Sequence, residues 1–217
     1  MKKLFIISII DLFIVACSYA QHEADSAMYN AGIGLLNNAK TTENYLEAGF
    51  YFEQLVTQYP KQWLVLYYAG LAYIQASYQA LVSKDKDKLI DKAQPLIDKA
   101  FSLKPNEPEL YVLQAFLYQS RLQVNPEIRG LTYSQKADAS LKKAVTADPT
   151  NPRAFTLMAY NVYYTPGMFG GGAKNALPMF LRAKEKYLAF TPALPFMPHW
   201  GEPENQQMIV ECKRGVK

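Results

Sequence analysis

Apolar positions recur at helical spacing along almost the whole chain, and prolines punctuate the runs. Over residues 44–59, Tyr45, Leu46, Phe50, Phe52 and Leu55, with Val56, form an i, i+3, i+4 stripe that Pro60 ends. The same reading predicts helices over 63–82, 89–103, 108–122, 133–146, 152–164 and 173–188, with an opening helix over 25–38. Gly32 and Gly34 weaken that first helix by roughly 1 kcal/mol each relative to Ala. The charged run Ser83–Lys88 reads as a turn, and Pro95 as either a kink or the true start of its helix. Pro108 and Pro152 suit a first helical position, where a missing N–H costs nothing. No segment alternates with a period of two between turn residues, so the pattern predicts an all-α chain.

The helices repeat. Pro60, Pro105 and Pro149 stand 45 and 44 residues apart, and the same phrase precedes each at offsets of 12, 8 and 5 residues: Ala48, Phe52, Leu55; Ala93, Ile97, Ala100; Ala137, Leu141, Ala144. A fourth copy reads Ala176, Phe180, Ala183, with Pro192 arriving late. After each proline comes a large apolar residue, then a small one, then Tyr73, Tyr118 or Val162. A phrase returning at a fixed period predicts a stacked array of one supersecondary unit, each copy burying its flank on the next.

These residues resemble the tetratricopeptide repeat (TPR). Leu66, Gly70, Tyr73, Ala93, Ile97, Ala100 and Pro105 fill that family's positions in one copy, and the next two copies follow from Tyr111 and Phe155. The small residues serve close helix approach. The copies depart from the family in length, with extra residues expected to lengthen the helices and their connecting turn. The chain is also similar to exported TPR proteins of Gram-negative bacteria, especially Bacteroidetes, through Trp63–Ala69, Asn151–Ala154, Met168–Gly172 and Pro198–Gly201. The resemblance implies a right-handed α-solenoid of about four helix pairs over residues 21–192, then an extended segment and capping helix over 193–217. Such arrays are binding scaffolds, so no enzyme activity is expected.

Charge and composition narrow the function. Half of the 217 residues are hydrophobic, 19% are charged and the net charge is +4, which describes a folded chain without a basic stripe for nucleic acid. Residues 1–20 read as a signal peptide: Lys2 and Lys3, an apolar run from Leu4 to Ala16, then Ser18-Tyr19-Ala20 before a cleavage point. Ile14-Val15-Ala16-Cys17 admits a second reading as a lipobox, with Cys17 lipidated and the chain held at the outer membrane. Export to the periplasm is the expectation in the first case. Cys212 has no neighbour that would activate it, and neither cofactor nor metal is expected, since His199 alone cannot supply a structural zinc site.

The chain holds 16 tyrosines, and a phenol packs as an apolar ring while offering a hydroxyl. By the resemblance, the first helix of each pair lines the concave groove. That places Tyr67, Leu71 and Gln75, then Phe116 and Gln119, then Arg153, Tyr160, Tyr163 and Tyr164 on the binding face. An aromatic face of this kind suits an extended peptide or a protein partner. Two alternatives stand beside it: a small molecule in an enclosed pore between groove and tail, or a groove filled by the chain's own C-terminal segment. The loop Pro166–Gly172 is read as a tight turn needing positive φ, pinned by Met168 and Phe169.

Overall fold

In the computed structural model, which describes residues 26–215, all regular structure is helical. The expected leader and Cys17 lie outside the described residues. Helix α1 spans residues 26–38. It is followed by α2 (Thr42–Gln58), α3 (Trp63–Gln79), α4 (Ser83–Leu103), α5 (Pro108–Val124), α6 (Pro126–Ala147), α7 (Pro152–Tyr164), α8 (Ala173–Ala189) and α9 (Glu202–Gly215). A 3-10 turn, Gly167–Phe169, joins α7 to α8.

The helices form antiparallel pairs stacked in two layers. The inner helices α3, α5 and α7 touch one another in succession, and each also packs on its outer partner. The recurring phrases explain the pairing. Ala48 and Phe52, Ala93 and Ile97, Ala137 and Leu141, and Ala176 and Phe180 are all fully buried. Each outer helix therefore buries one narrow stripe, while α3 is buried almost all round. Small residues set the approach at the crossings: a Cβ on Gly32 of α1 would run into the rings of Phe52 and Tyr51 of α2.

The extra length went into helix and left the turns short. Residues Ser83–Lys88, expected as a turn, are the first turns of α4, and the chain reverses over Ala80–Val82. Their charges are satisfied sideways: Lys88 pairs with Asp85 at 2.9 Å, and Arg129 of α6 grips both oxygens of Asp87 at 2.6 and 2.9 Å. Likewise α6 begins at Pro126 and not near Tyr133, because Asn125 caps it by accepting from the Ile128 amide at 3.2 Å. Pro95 neither starts nor ends α4, and Pro178 sits at the same place inside α8. Pro95 and Pro178 are both exposed on the outer faces of their helices, and the helix runs through both; the carbonyl one turn earlier in each case, on Asp91 and Lys174, belongs to an exposed residue and can turn to water.

After α8 the chain runs without helix over residues 190–201 back along the inner face, with a turn in which the Met197 amide donates to the Leu194 carbonyl at 3.0 Å, and α9 then closes the last pair. Met208, Ile209 and Cys212 of α9 pack with Ala159, Ala176 and Phe180. This helix, the capping helix expected within 193–217, starts at Glu202, and Pro203 falls in its first turn, where no donor is missed. Gly201 makes the bend at φ 98°, and a side chain there would strike the Tyr187 hydroxyl. The glycine loop before α8 does use positive φ, at Gly170 (82°) and Gly172 (92°). Met168 and Phe169 do not pin it, however, because both are exposed; the Asn175 amide donates to the Gly170 and Gly171 carbonyls at 3.0 and 3.2 Å instead.

Candidate binding site

The inner face divides into a closed part and an open part. Over α1, α3 and α5, residues Phe196–Trp200 lie in the groove. Tyr68 donates to the Phe196 carbonyl at 2.7 Å, and the Phe196 ring stacks on Tyr29 at 4.7 Å. Trp200 stacks on Phe116 at 5.4 Å, and its indole N–H donates to the Tyr67 hydroxyl at 2.8 Å. Tyr67 and Leu71 are thereby buried beneath the chain's own tail. Gln75 is half-buried beside a cavity of about 30 Å³ shared with Ile33, Leu36, His199 and Trp200, and its Oε1 has no partner. One water fits such a space.

Below Tyr67 lies the most polar part of the core. The Arg153 guanidinium, 1% exposed, meets Glu109 through Nε at 3.0 Å to both oxygens and through Nη2 at 2.6 Å. Asn151 caps α7 through its Oδ1 and donates its amide to Glu109 at 2.5 Å, while Tyr67 donates to Glu109 at 3.4 Å. Burial opposes the charge on Arg153, but the Glu109 carboxylate outweighs it and raises the guanidinium pKa. Arg153 Nη1 has no hydrogen-bond acceptor; the guanidinium lies over the Phe190 ring at 4.6 Å. Burial, with Glu109 adding to it, pushes the Tyr67 hydroxyl well above the usual phenol range. The assembly is a structural tie between α5, α7 and the tail. Gln119 is also tied inside, donating to the Leu157 carbonyl at 2.8 Å and to Asn161 at 2.7 Å.

The open part collects at the C-terminal ends of α3, α5 and α7. Phe116 stacks on Tyr78 at 5.1 Å, and Tyr160 lies parallel to Tyr164 at 6.2 Å with Tyr163 set edge-on at 5.0 Å. Tyr160 and Tyr163 are half-buried, and Tyr164 is 63% exposed. Burial raises the Tyr160 and Tyr164 hydroxyls; for Tyr160 the carboxylate of Glu204 adds to it, and for Tyr164 the neighbouring Tyr163 does. Both phenols are neutral at ordinary pH, so they offer ring faces and O–H donors. Of the residues expected on the binding face, Phe116, Tyr160, Tyr163 and Tyr164 come together here, with Gln75 nearer the tail; Tyr67, Leu71, Gln119 and Arg153 lie inside. Tyr78 was missing from that set, although it extends the stripe of Tyr67, Leu71 and Gln75 by one more helical step.

A second opening lies at the other end of the inner helices. It is a half-open cleft of about 660 Å³ lined by Glu107, Asp148, Glu185, Lys186, Phe190 and Pro198 among others. Arg153 and Glu109 form part of its wall, but no tyrosine does. Cys212 is buried between α8 and α9, and burial raises its thiol, so it carries no reactivity. Among the described residues no helix is long and apolar enough to cross a membrane.

Two layers of antiparallel helix pairs, a small residue at each crossing and a C-terminal cap define a TPR-type α-solenoid. A thermophilic TPR protein of Thermus thermophilus matches this fold at 18% identity and a TM-score of 0.54, over 93% of this chain and 94% of its own. The HusA haemophore of Porphyromonas gingivalis matches at 30% identity and a TM-score of 0.78, over 88% of this chain and 94% of its own. The chain belongs to the family of that HusA protein. No protein-family model matches it, and a search of curated proteins finds no match.

Proposed function

We propose that this chain is an exported, non-enzymatic carrier that holds a haem-like porphyrin against the open tyrosine face formed by Tyr78, Phe116, Tyr160, Tyr163 and Tyr164. The observation that carries the reading is kinship with a haemophore over nearly the whole of that protein's length, joined to a cluster of rings in this chain of which Tyr164 is exposed and the others half-buried. A porphyrin is flat and largely apolar with a carboxylate edge. It needs ring faces to stack on and O–H groups to donate to its carboxylates, and neutral tyrosines supply both. An enclosed pore is not required, and the half-open cleft beside Arg153 has no tyrosine to serve the purpose.

Titration of the purified chain with ferric haem, followed by the Soret band, tests this. Tyr160→Ala combined with Tyr164→Ala is expected to weaken binding about tenfold or more, given ~0.5–1.5 kcal/mol for each aromatic stack. The corresponding double Phe variant should keep most of the affinity. No Soret change with the wild-type chain, or equal binding by the Ala variant, would sink the proposal.

Capture of a peptide is a second reading, and one observation favours it: the inner face already holds a non-helical, proline-bearing segment, the chain's own Phe196–Trp200. A peptide partner would compete with that tail, whereas a porphyrin on the tyrosine face would leave it in place.

A further inference from the structure

The two edges of the array differ in a way that the porphyrin reading does not use. Along one edge run the turns between outer helices and the next inner helix. There the chain reads Lys61-Gln62, Asn106-Glu107 and Thr150-Asn151, all polar. Along the other edge run the turns inside each pair; the first, residues 39–41, is small and polar, but each of the next three presents large apolar side chains to solvent. Leu81 and Val82 stand before α4, Ile128 and Leu131 in the first turns of α6, and Met168 and Phe169 before α8, with exposures from 56% to 98%. These turns belong together. The inner helices run parallel, and their C-terminal ends are joined by the Ser77–Ser120 contact at 2.5 Å and the Gln119–Asn161 bond at 2.7 Å. Isolated exposed apolar residues are ordinary, but a row of them at successive turns is not.

The charges on this edge have one sign in surplus. Lys84 and Lys86 follow the first turn, Lys174 follows the third, and Lys213 and Arg214 end α9 where Gly215 packs against Ala173. None of the five is in an ion pair among the described residues. Of the acidic groups here Asp85 is matched by Lys88 and Asp87 by Arg129, which leaves exposed Glu127 and half-buried Glu211, the latter accepting from Gln207, against the five cations. Cations scattered along the sequence are thus gathered beside protruding apolar tips.

We propose that this edge docks on an anionic phospholipid surface, the tips of the three turns entering the headgroup layer and the five cations meeting lipid phosphates. A row of separate tips matches a flat, deformable partner. A folded protein would need a matching pit for each tip, one repeat apart. Apolar insertion combined with Lys and Arg attraction is how peripheral helical proteins hold an anionic bilayer.

Vesicle flotation tests the proposal with the chain from Gln21 onward, which holds every packed element described. Vesicles of phosphatidylcholine alone are compared with vesicles that also contain phosphatidylglycerol. The chain is expected to float with the anionic vesicles about tenfold more strongly, and to be released by raised salt. Replacing Leu81, Ile128, Leu131, Met168 and Phe169 by Ser should abolish flotation with the helical circular dichroism unchanged, because all five are solvent-exposed. A second variant, Lys84→Glu with Lys174→Glu and Lys213→Glu, should lose the preference for anionic lipid while keeping the fold. Absence of flotation with either vesicle, or equal flotation by the Ser variant, overturns the proposal. So does a dimer that the Ser variant dissolves without any vesicle binding, which would make the edge an interface between copies.

Discussion

Glu109→Gln is expected to lower the free energy of unfolding by about 3 kcal/mol, the scale for breaking one side of a buried ion pair. The substitution keeps the volume and removes only the charge. Arg153 would then be a buried cation over Phe190 with no carboxylate, and Asn151 and Tyr67 would each lose their charged acceptor. Replacing both partners, Glu109→Leu with Arg153→Met, should recover most of the loss, since an apolar pair of similar volume avoids the desolvation of two charges. Denaturant unfolding of the three variants checks this. A single variant within about 1 kcal/mol of wild type would mean that Arg153 reaches water by a local opening of the 660 Å³ cleft.

Trp200→Ala carries the second large effect, a loss of about 2–3 kcal/mol, below the figure for a fully buried Trp because this one is half-buried. The variant removes the stack on Phe116 and the donor to Tyr67. Its larger consequence is to lift the tail from the inner face, which should raise the binding of a hydrophobic dye several-fold. The tyrosine face of α7 is not covered by Trp200, so haem binding should survive the change. A loss of haem affinity beyond tenfold in a variant that stays folded would place Trp200 in the ligand's own surface.

The repeat was legible because its physics is local. Where two helices cross closely, only Ala or Gly fits, so Ala93, Ala137 and Ala176 recur at one register, and the proline that ends each outer helix recurs with them. Turn lengths were less legible: an alternating Lys/Asp run is as compatible with a solvated helix face as with a loop, and the partner that holds Asp87 is 42 residues away. The candidate face was legible only in part. Helical spacing places Tyr67, Leu71, Gln119 and Arg153 on inner helices correctly, but cannot say which stretch of that face the chain itself covers. That depends on contacts such as Trp200 to Tyr67, 133 residues apart, and Tyr68 to Phe196, 128 apart. Truncating Tyr67 would therefore damage the core before it tested any ligand. Tyr160 and Tyr164 are the informative positions because they lie beyond the end of the tail.

Broadening of backbone amide signals by bound ferric haem, read residue by residue in nuclear magnetic resonance spectra, tests the placement of the ligand most directly. The account predicts loss of signal around Tyr78, Phe116 and Tyr160–Tyr164, with the outer helix α4 untouched. Broadening confined to the cleft at Phe190 and Pro198, or to the groove under Phe196–Trp200, would contradict it.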